Sequence, residues 1–232
     1  MRKTLRFTFF CILGLGIKGL SAQVDKNQVG AWYMYFWSAQ IKDSPWGFQG
    51  DVQHRNWNGI GDLEQLLLRG GITYSPKNAN IKFTAGYGNI TTGTFGSSTT
   101  TSTENRIYQE ALFPQKIGER FHLNHRLRFE QRFVDGQDLR TRYRYNLFVN
   151  VPLNKKDIVA KTVYLALYNE LFINGEKSIG NNKTVELFDR NRFYGGFGYA
   201  FKKNLRTQLG FMRQTNNAYG KNQLQVSLHH SF

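Results

Sequence analysis

Between residues 121 and 153, apolar side chains alternate with cationic or polar ones at a period of two, and that period restricts the fold more than any other feature. In 121–133 one face carries Phe121, Leu123, His125, Leu127, Phe129, Gln131 and Phe133. The other carries His122, Asn124, Arg126, Arg128, Glu130 and Arg132. In 140–153, Tyr143, Tyr145, Leu147, Val149, Val151 and Leu153 oppose Arg140, Arg142, Arg144, Asn146 and Asn150. In 190–201, Phe193, Phe197, Tyr199 and Phe201 oppose Arg190 and Arg192. A helix places every third or fourth residue on one face, so a period of two means extended strand. Similar runs cover 28–41, 45–57, 63–75, 80–90, 104–114, 161–174, 204–215 and 222–232. Turn signals separate them, among them Asp43-Ser44-Pro45, Asp135-Gly136 and Asn174-Gly175.

Alternation does not say which medium meets the apolar face. A sandwich turns that face inward, whereas an outer-membrane barrel turns it to lipid. The runs favour the barrel, because at roughly 10–14 residues they are about twice the ~5–6 of soluble strands. Phe121 and Phe133 bracket one run; at ~3.3 Å per residue and ~40° tilt they stand about 30 Å apart, enough to flank an apolar band ~25 Å tall. The composition agrees: 15% aromatic residues, with Trp32, Trp37, Trp46, Tyr87 and Tyr143 on or beside the runs, together with 23 glycines and four prolines. The last run, "LQVSLHHSF", closes on Phe232 with Leu224, Val226 and Leu228 in phase behind it. It resembles the C-terminal signal that the barrel assembly machinery reads during biogenesis.

An export signal fits the same reading. Arg2, Lys3 and Arg6 precede an apolar core from Phe7 to Ile17, and Leu20-Ser21-Ala22 follows. This is the pattern of a secretory signal peptide over residues 1–22, leaving 23–232 as one barrel domain. The apolar core is far shorter than the ~20 residues a membrane helix needs. Its removal takes away four basic residues and the sole cysteine, Cys11, so the formal net charge falls from +15 to +11. A basic exported chain without disulfides points to anionic lipid, lipopolysaccharide or an anionic solute rather than to nucleic acid.

The expected architecture is therefore an all-β, transmembrane, antiparallel up-and-down barrel of 10–12 strands, acting as a monomer in the outer membrane. Eleven runs are visible, but single-chain bacterial barrels have an even number with both ends on one side. The run at 28–41 then points the wrong way, and twelve strands is the value expected. The connections at 91–104 and 175–186 are expected to be long loops at the outer surface.

If lipid meets the Leu/Phe/Tyr faces, Arg126, Arg128, Arg132, Arg140, Arg142, Arg144, Arg190 and Arg192 point into the lumen. An arginine on the lipid side would cost ~2–4 kcal/mol near the midplane. Glu110, Glu130, Glu170 and Asp189 are the anions available to pair with them. Two readings follow: a ladder of ion pairs that fills and stiffens the lumen, or a positive constriction that prefers anions.

Other chemistry finds less support. His229 and Ser231 have the i, i+2 spacing of a hydrolytic pair, but no carboxylate is placed to orient the imidazole. A lipid-modifying hydrolase and a surface-binding barrel acting through 91–104 and 175–186 stay as alternatives. His122 and His125 fall on opposite faces of one strand, so no metal site is expected. No phosphate loop or cofactor motif is present, and the glycines of Tyr194-Gly195-Gly196-Phe197-Gly198 suit close strand packing.

Nine segments are shared in character with a known family: "GAWYMYFWSAQ", "EQLLLRGGITY", "TAGYG", "ENRIYQEALF", "HRLRFEQRF", "RTRYRYNLFVNVPL", "YNELFIN", "DRNRFYGGFGY" and "QLGFMRQ". Together they resemble the DUF2490 family of Gram-negative outer-membrane barrels. The resemblance runs over essentially the whole chain after residue 22. It implies a barrel and an outer-membrane address, and it carries no activity with it.

Overall fold

The computed structural model describes residues 29–232, and the signal-peptide expectation at 1–22 lies outside them. Every alternating run becomes a strand: β1 (Gly30–Gln40), β2 (Trp46–Asn56), β3 (Leu63–Tyr74), β4 (Lys82–Gly93), β5 (Thr101–Ile117) and β6 (Phe121–Val134). Then come β7 (Arg140–Pro152), β8 (Thr162–Asn174), β9 (Phe188–Lys202), β10 (Leu205–Thr215) and β11 (Gly220–Ser231). Consecutive strands pair antiparallel, and β1 pairs with β11 to close the barrel. Among the described residues there is no helix.

Two expectations are corrected here. The barrel has eleven strands, within the expected 10–12 but not the twelve singled out, and β1 lies parallel to β11, with Gly30 opposite Gln223 and Ser38 opposite Ser231. An odd number of alternating strands leaves the first and last pointing the same way, so closure needs one parallel ladder, and parallel ladders differ only modestly in stability. The run at 28–41 forms the single strand β1, and the even-number rule does not govern this closure. The connection expected at 91–104 also shrinks. Strands β4 and β5 extend into it and leave 94–100, while the β8–β9 connection occupies 175–187.

The two ends of the barrel differ. One mouth, beside Gly30, carries the connections 57–62, 94–100, 135–139, 175–187 and 216–219. The mouth beside Phe232 carries 41–45, 75–81, 118–120, 153–161 and 203–204.

Side chains alternate between the wall's two faces as the period requires. Phe193, Phe197, Leu209 and Phe211 are more than half exposed on the outside, as are Tyr87 and Tyr143. Inside, Trp32, Tyr164, Ala166, Tyr194 and Met212 form a small apolar cluster. It depends on glycine: a Cβ at Gly198 would collide with the ring of Tyr164 on β8, and one at Gly196 with the Tyr194 hydroxyl and Leu209 carbonyl. These glycines let large rings lie flat across the neighbouring strand.

Candidate functional site

Strand register fixes the problem the lumen must solve. Arg106, Arg132 and Arg140 stand side by side across β5, β6 and β7, and Arg128 stands opposite Arg144. Like charges directly opposite each other repel. Carboxylates one step away along the strands relieve this.

Toward the Gly30 mouth, Glu104 accepts from Arg106 Nε at 2.5 Å and from Arg132 Nε at 2.6 Å. At mid-depth Glu130, 1% exposed, accepts from Arg142 Nη2 and Arg144 Nη1, both at 2.6 Å. Arg142 reaches on to Asp189 at 2.9 Å. Glu170 takes Arg144 and Arg126, the latter at 2.7 Å, with Arg192 at 3.9 Å. Glu110 holds Arg128 through Nε at 2.8 Å and through Nη2, and accepts from Gln49 at 3.1 Å.

Aromatic rings fill the space between these pairs. Phe172 is surrounded by the guanidinium groups of Arg142, Arg144, Arg190 and Arg192, at 4.5–5.9 Å from its centroid. Trp32 is flanked by Arg55 at 3.7 Å and Arg192 at 4.8 Å. Such contacts are stronger when desolvated.

Nine of the ten residues assigned to the lumen from sequence come together in this network, Arg190 through the Asp189 it shares with Arg142. Arg140 does not join a carboxylate; its Nη1 donates to Gln137 at 2.8 Å. Arg190 meets its own neighbour Asp189 at 3.0 Å. A register shift between Phe172 and Ile173 against β9 accounts for this, because a bulge brings Asp189 and Arg190 toward the same side. Leu224, Val226 and Leu228 lie in phase on the outer face of β11, and Phe232 is exposed.

Several members were not anticipated. Glu104 and Arg106 share the inward phase of Glu110 in "ENRIYQE", so the period alone could have found them. Asp51 pairs with Arg69 at 2.9 Å across β2 and β3. Glu64, which takes the indole N–H of Trp32 at 3.1 Å, carries no periodic signal. It sits at a second register shift, opposite Arg55 and Asn56, that turns an extra residue inward.

His229 and Ser231 do not meet. His229 Nε2 lies 3.0 Å from Ser227 Oγ, its ring stacks on Phe36, and Ser231 Oγ accepts from Ser38. His125 is engaged on the outside by Tyr145 and Gln115. At the Phe232 mouth, Asp157 accepts a hydrogen bond from Lys116 at 2.6 Å, which holds its carboxyl below the usual range. Among the described residues no group of three or more His, Cys, Asp or Glu side chains is set to hold a metal.

A cavity of about 300 Å³ opens beside the network and reaches the Phe232 end of the lumen, lined by Lys82, Arg206 and His229 there and by Glu110, Arg128 and Glu170 of the network. Trp32 and Arg55, toward the Gly30 ends of β1 and β2, also line it, whereas Glu104, Glu130 and Arg142 do not.

Comparison with known proteins gives a family and supplies no activity. An uncharacterised protein of Methylorubrum extorquens is 26% identical over 208 residues, covering 88% of this chain and 85% of its own. No solved structure matches the chain. The family described as "Protein of unknown function (DUF2490)" matches residues 29–225, and the chain belongs to that family.

Proposed function

We propose that the protein is a monomeric, non-enzymatic β-barrel of the outer membrane, exported through a cleaved signal peptide at 1–22, with its lumen occluded by paired charges. The observation that carries this reading is Glu130, 1% exposed and bound by two arginines at mid-depth. Three more carboxylates repeat the arrangement above and below it. An aqueous pore would leave such groups hydrated; here they exchange water for one another, as a structural plug must. Support for the membrane comes from the wall, whose outer face is apolar and aromatic while its inner face is charged. Lipid and lipopolysaccharide are then the outer partners, and the barrel assembly machinery reads Leu224, Val226, Leu228 and Phe232 during biogenesis. Any residual permeation favours anions, since cations outnumber carboxylates along the wall.

A hydrolase gains nothing from the geometry around His229, because the hydroxyl it meets belongs to Ser227 and no carboxylate orients the ring.

Cell fractionation combined with electrophoresis of unboiled samples tests the assignment. The protein is expected in the outer membrane, migrating faster before boiling than after. Recovery in a soluble fraction would reject it.

A further inference from the structure

We propose that the cavity at the Phe232 end of the lumen binds a small organic oxyanion with an apolar body. The proposal rests on the occluded-lumen reading, which makes this space a dead-end vestibule rather than part of a channel.

Charge gives the first reason. The three carboxylates that line the cavity are already bound: Asp51 by Arg69 at 2.9 Å, Glu110 by Arg128, and Glu170 by Arg126 at 2.7 Å. Among the described residues three lining cations have no ion pair: Arg55, which donates to Gln53 and Gln65, and Lys82 and Arg206. Among the described residues, neither Lys82 nor Arg206 has a carboxylate within ion-pair distance or a side-chain hydrogen bond, although both line the cavity. Unbalanced cations in a confined, partly desolvated space raise its affinity for an anion.

Orphaned donors give the second reason. Gln225 Nε2 is buried without a hydrogen-bond partner, and Arg126 Nε and Arg128 Nη1 make no hydrogen bond, each standing 3.7 Å from a carboxylate oxygen of Glu110 or Glu130; all three residues line the same cavity. Buried polar groups normally find partners, so an unused amide donor beside two loosely held guanidinium groups favours an acceptor in this space. One acceptor, Asn146 Oδ1, is orphaned beside them. A ligand hydroxyl or a water carried in with the ligand answers it.

Shape and lining select the rest of the ligand. Met34, Phe36, Leu112 and Phe148 form an apolar wall. Inorganic phosphate would satisfy the donors but leave that wall wet, whereas an aromatic carboxylate or phosphate monoester covers both. A volume of about 300 Å³ is at the lower end for small-molecule pockets, so the ligand is small.

Calorimetric titration of the full-length folded barrel in zwitterionic micelles provides the test, with benzoate, phenyl phosphate, inorganic phosphate and benzyl alcohol as probes. The expected result is one-to-one binding of benzoate or phenyl phosphate. Inorganic phosphate and benzyl alcohol should each bind at least roughly tenfold more weakly, a difference of ~1.4 kcal/mol. Lys82→Gln combined with Arg206→Gln should weaken benzoate by a similar factor. Neither residue holds an ion pair, so the variant keeps its fold, checked by unboiled migration; an unfolded variant is replaced by the single substitutions. Equal binding of benzyl alcohol and benzoate would overturn the proposal, as would inorganic phosphate matching benzoate. Benzoate binding unchanged in the folded variants, or no binding by any probe, would overturn it too. The occluded-lumen reading fails separately, through conductance. A conducting barrel would still report benzoate binding here, and a closed barrel that binds nothing would reject the vestibule alone.

Discussion

At the scale of single residues, the lumen is a set of unequal charges. Glu130 neutralises Arg142 and Arg144 at once, both less than one-tenth exposed, so deleting it leaves two buried guanidinium groups with only Asp189 and Glu170, the latter already shared with Arg126. Glu130→Ala should therefore cost about 3–5 kcal/mol, the range for breaking a buried pair by removing one partner. Arg140 differs, because it hydrogen-bonds Gln137 and reaches no carboxylate. Arg140→Gln should cost no more than ~1 kcal/mol, as for a partly exposed charge. Urea unfolding from lipid vesicles, followed by tryptophan fluorescence, compares the two; similar costs would contradict the ladder. The sequence made most of this set legible, since inward arginines and carboxylates share one phase along each strand. It hid Glu64 because the register shift at the start of β3 breaks the phase there, and a bulge leaves no periodic trace. Phe172 was hidden differently: an aromatic residue in the inward phase of Glu170 was assigned to no role until the guanidinium groups around it were seen.

Elements were more legible than their closure. Strand positions follow from the period of two and agree with the observed bounds within a few residues, because most strands alternate a polar or charged face with an apolar one. Strand β9 shows what that division requires of the surroundings. Phe197, near its middle, is 62% exposed and points away from the lumen. On a water-facing wall Phe197→Arg would be close to neutral, within ~0.5 kcal/mol. In a bilayer it should cost about 2–4 kcal/mol. The same vesicle unfolding measurement separates the outcomes, and a neutral substitution would remove the wall from the membrane. Closure, by contrast, is set by the pairing of β1 with β11, residues nearly two hundred positions apart, and no local pattern reports it. The period counted eleven runs, and only the assumption of an even number pulled the expectation to twelve.

For the whole molecule, the parallel seam has a topological consequence. Gly30 begins at one mouth and Ser231 ends at the other, so the two ends of the barrel segment lie on opposite sides of whatever the barrel spans. An epitope inserted directly before Gly30 should be reached by antibody on intact cells, while one placed after Phe232 should be reached only after permeabilisation. Accessibility of both from the same side would contradict the seam. Together the seam, the apolar wall and the charge ladder support the proposal of a barrel that spans without conducting. The central claim is that the plug is closed, and planar-bilayer recording of the purified full-length protein tests it most directly. The account predicts no steady current at moderate voltage in the wild type and anion-selective steps once Glu130 and Glu170 are replaced together by alanine. Steady open-channel current in the wild type, or a preference for cations, would contradict it.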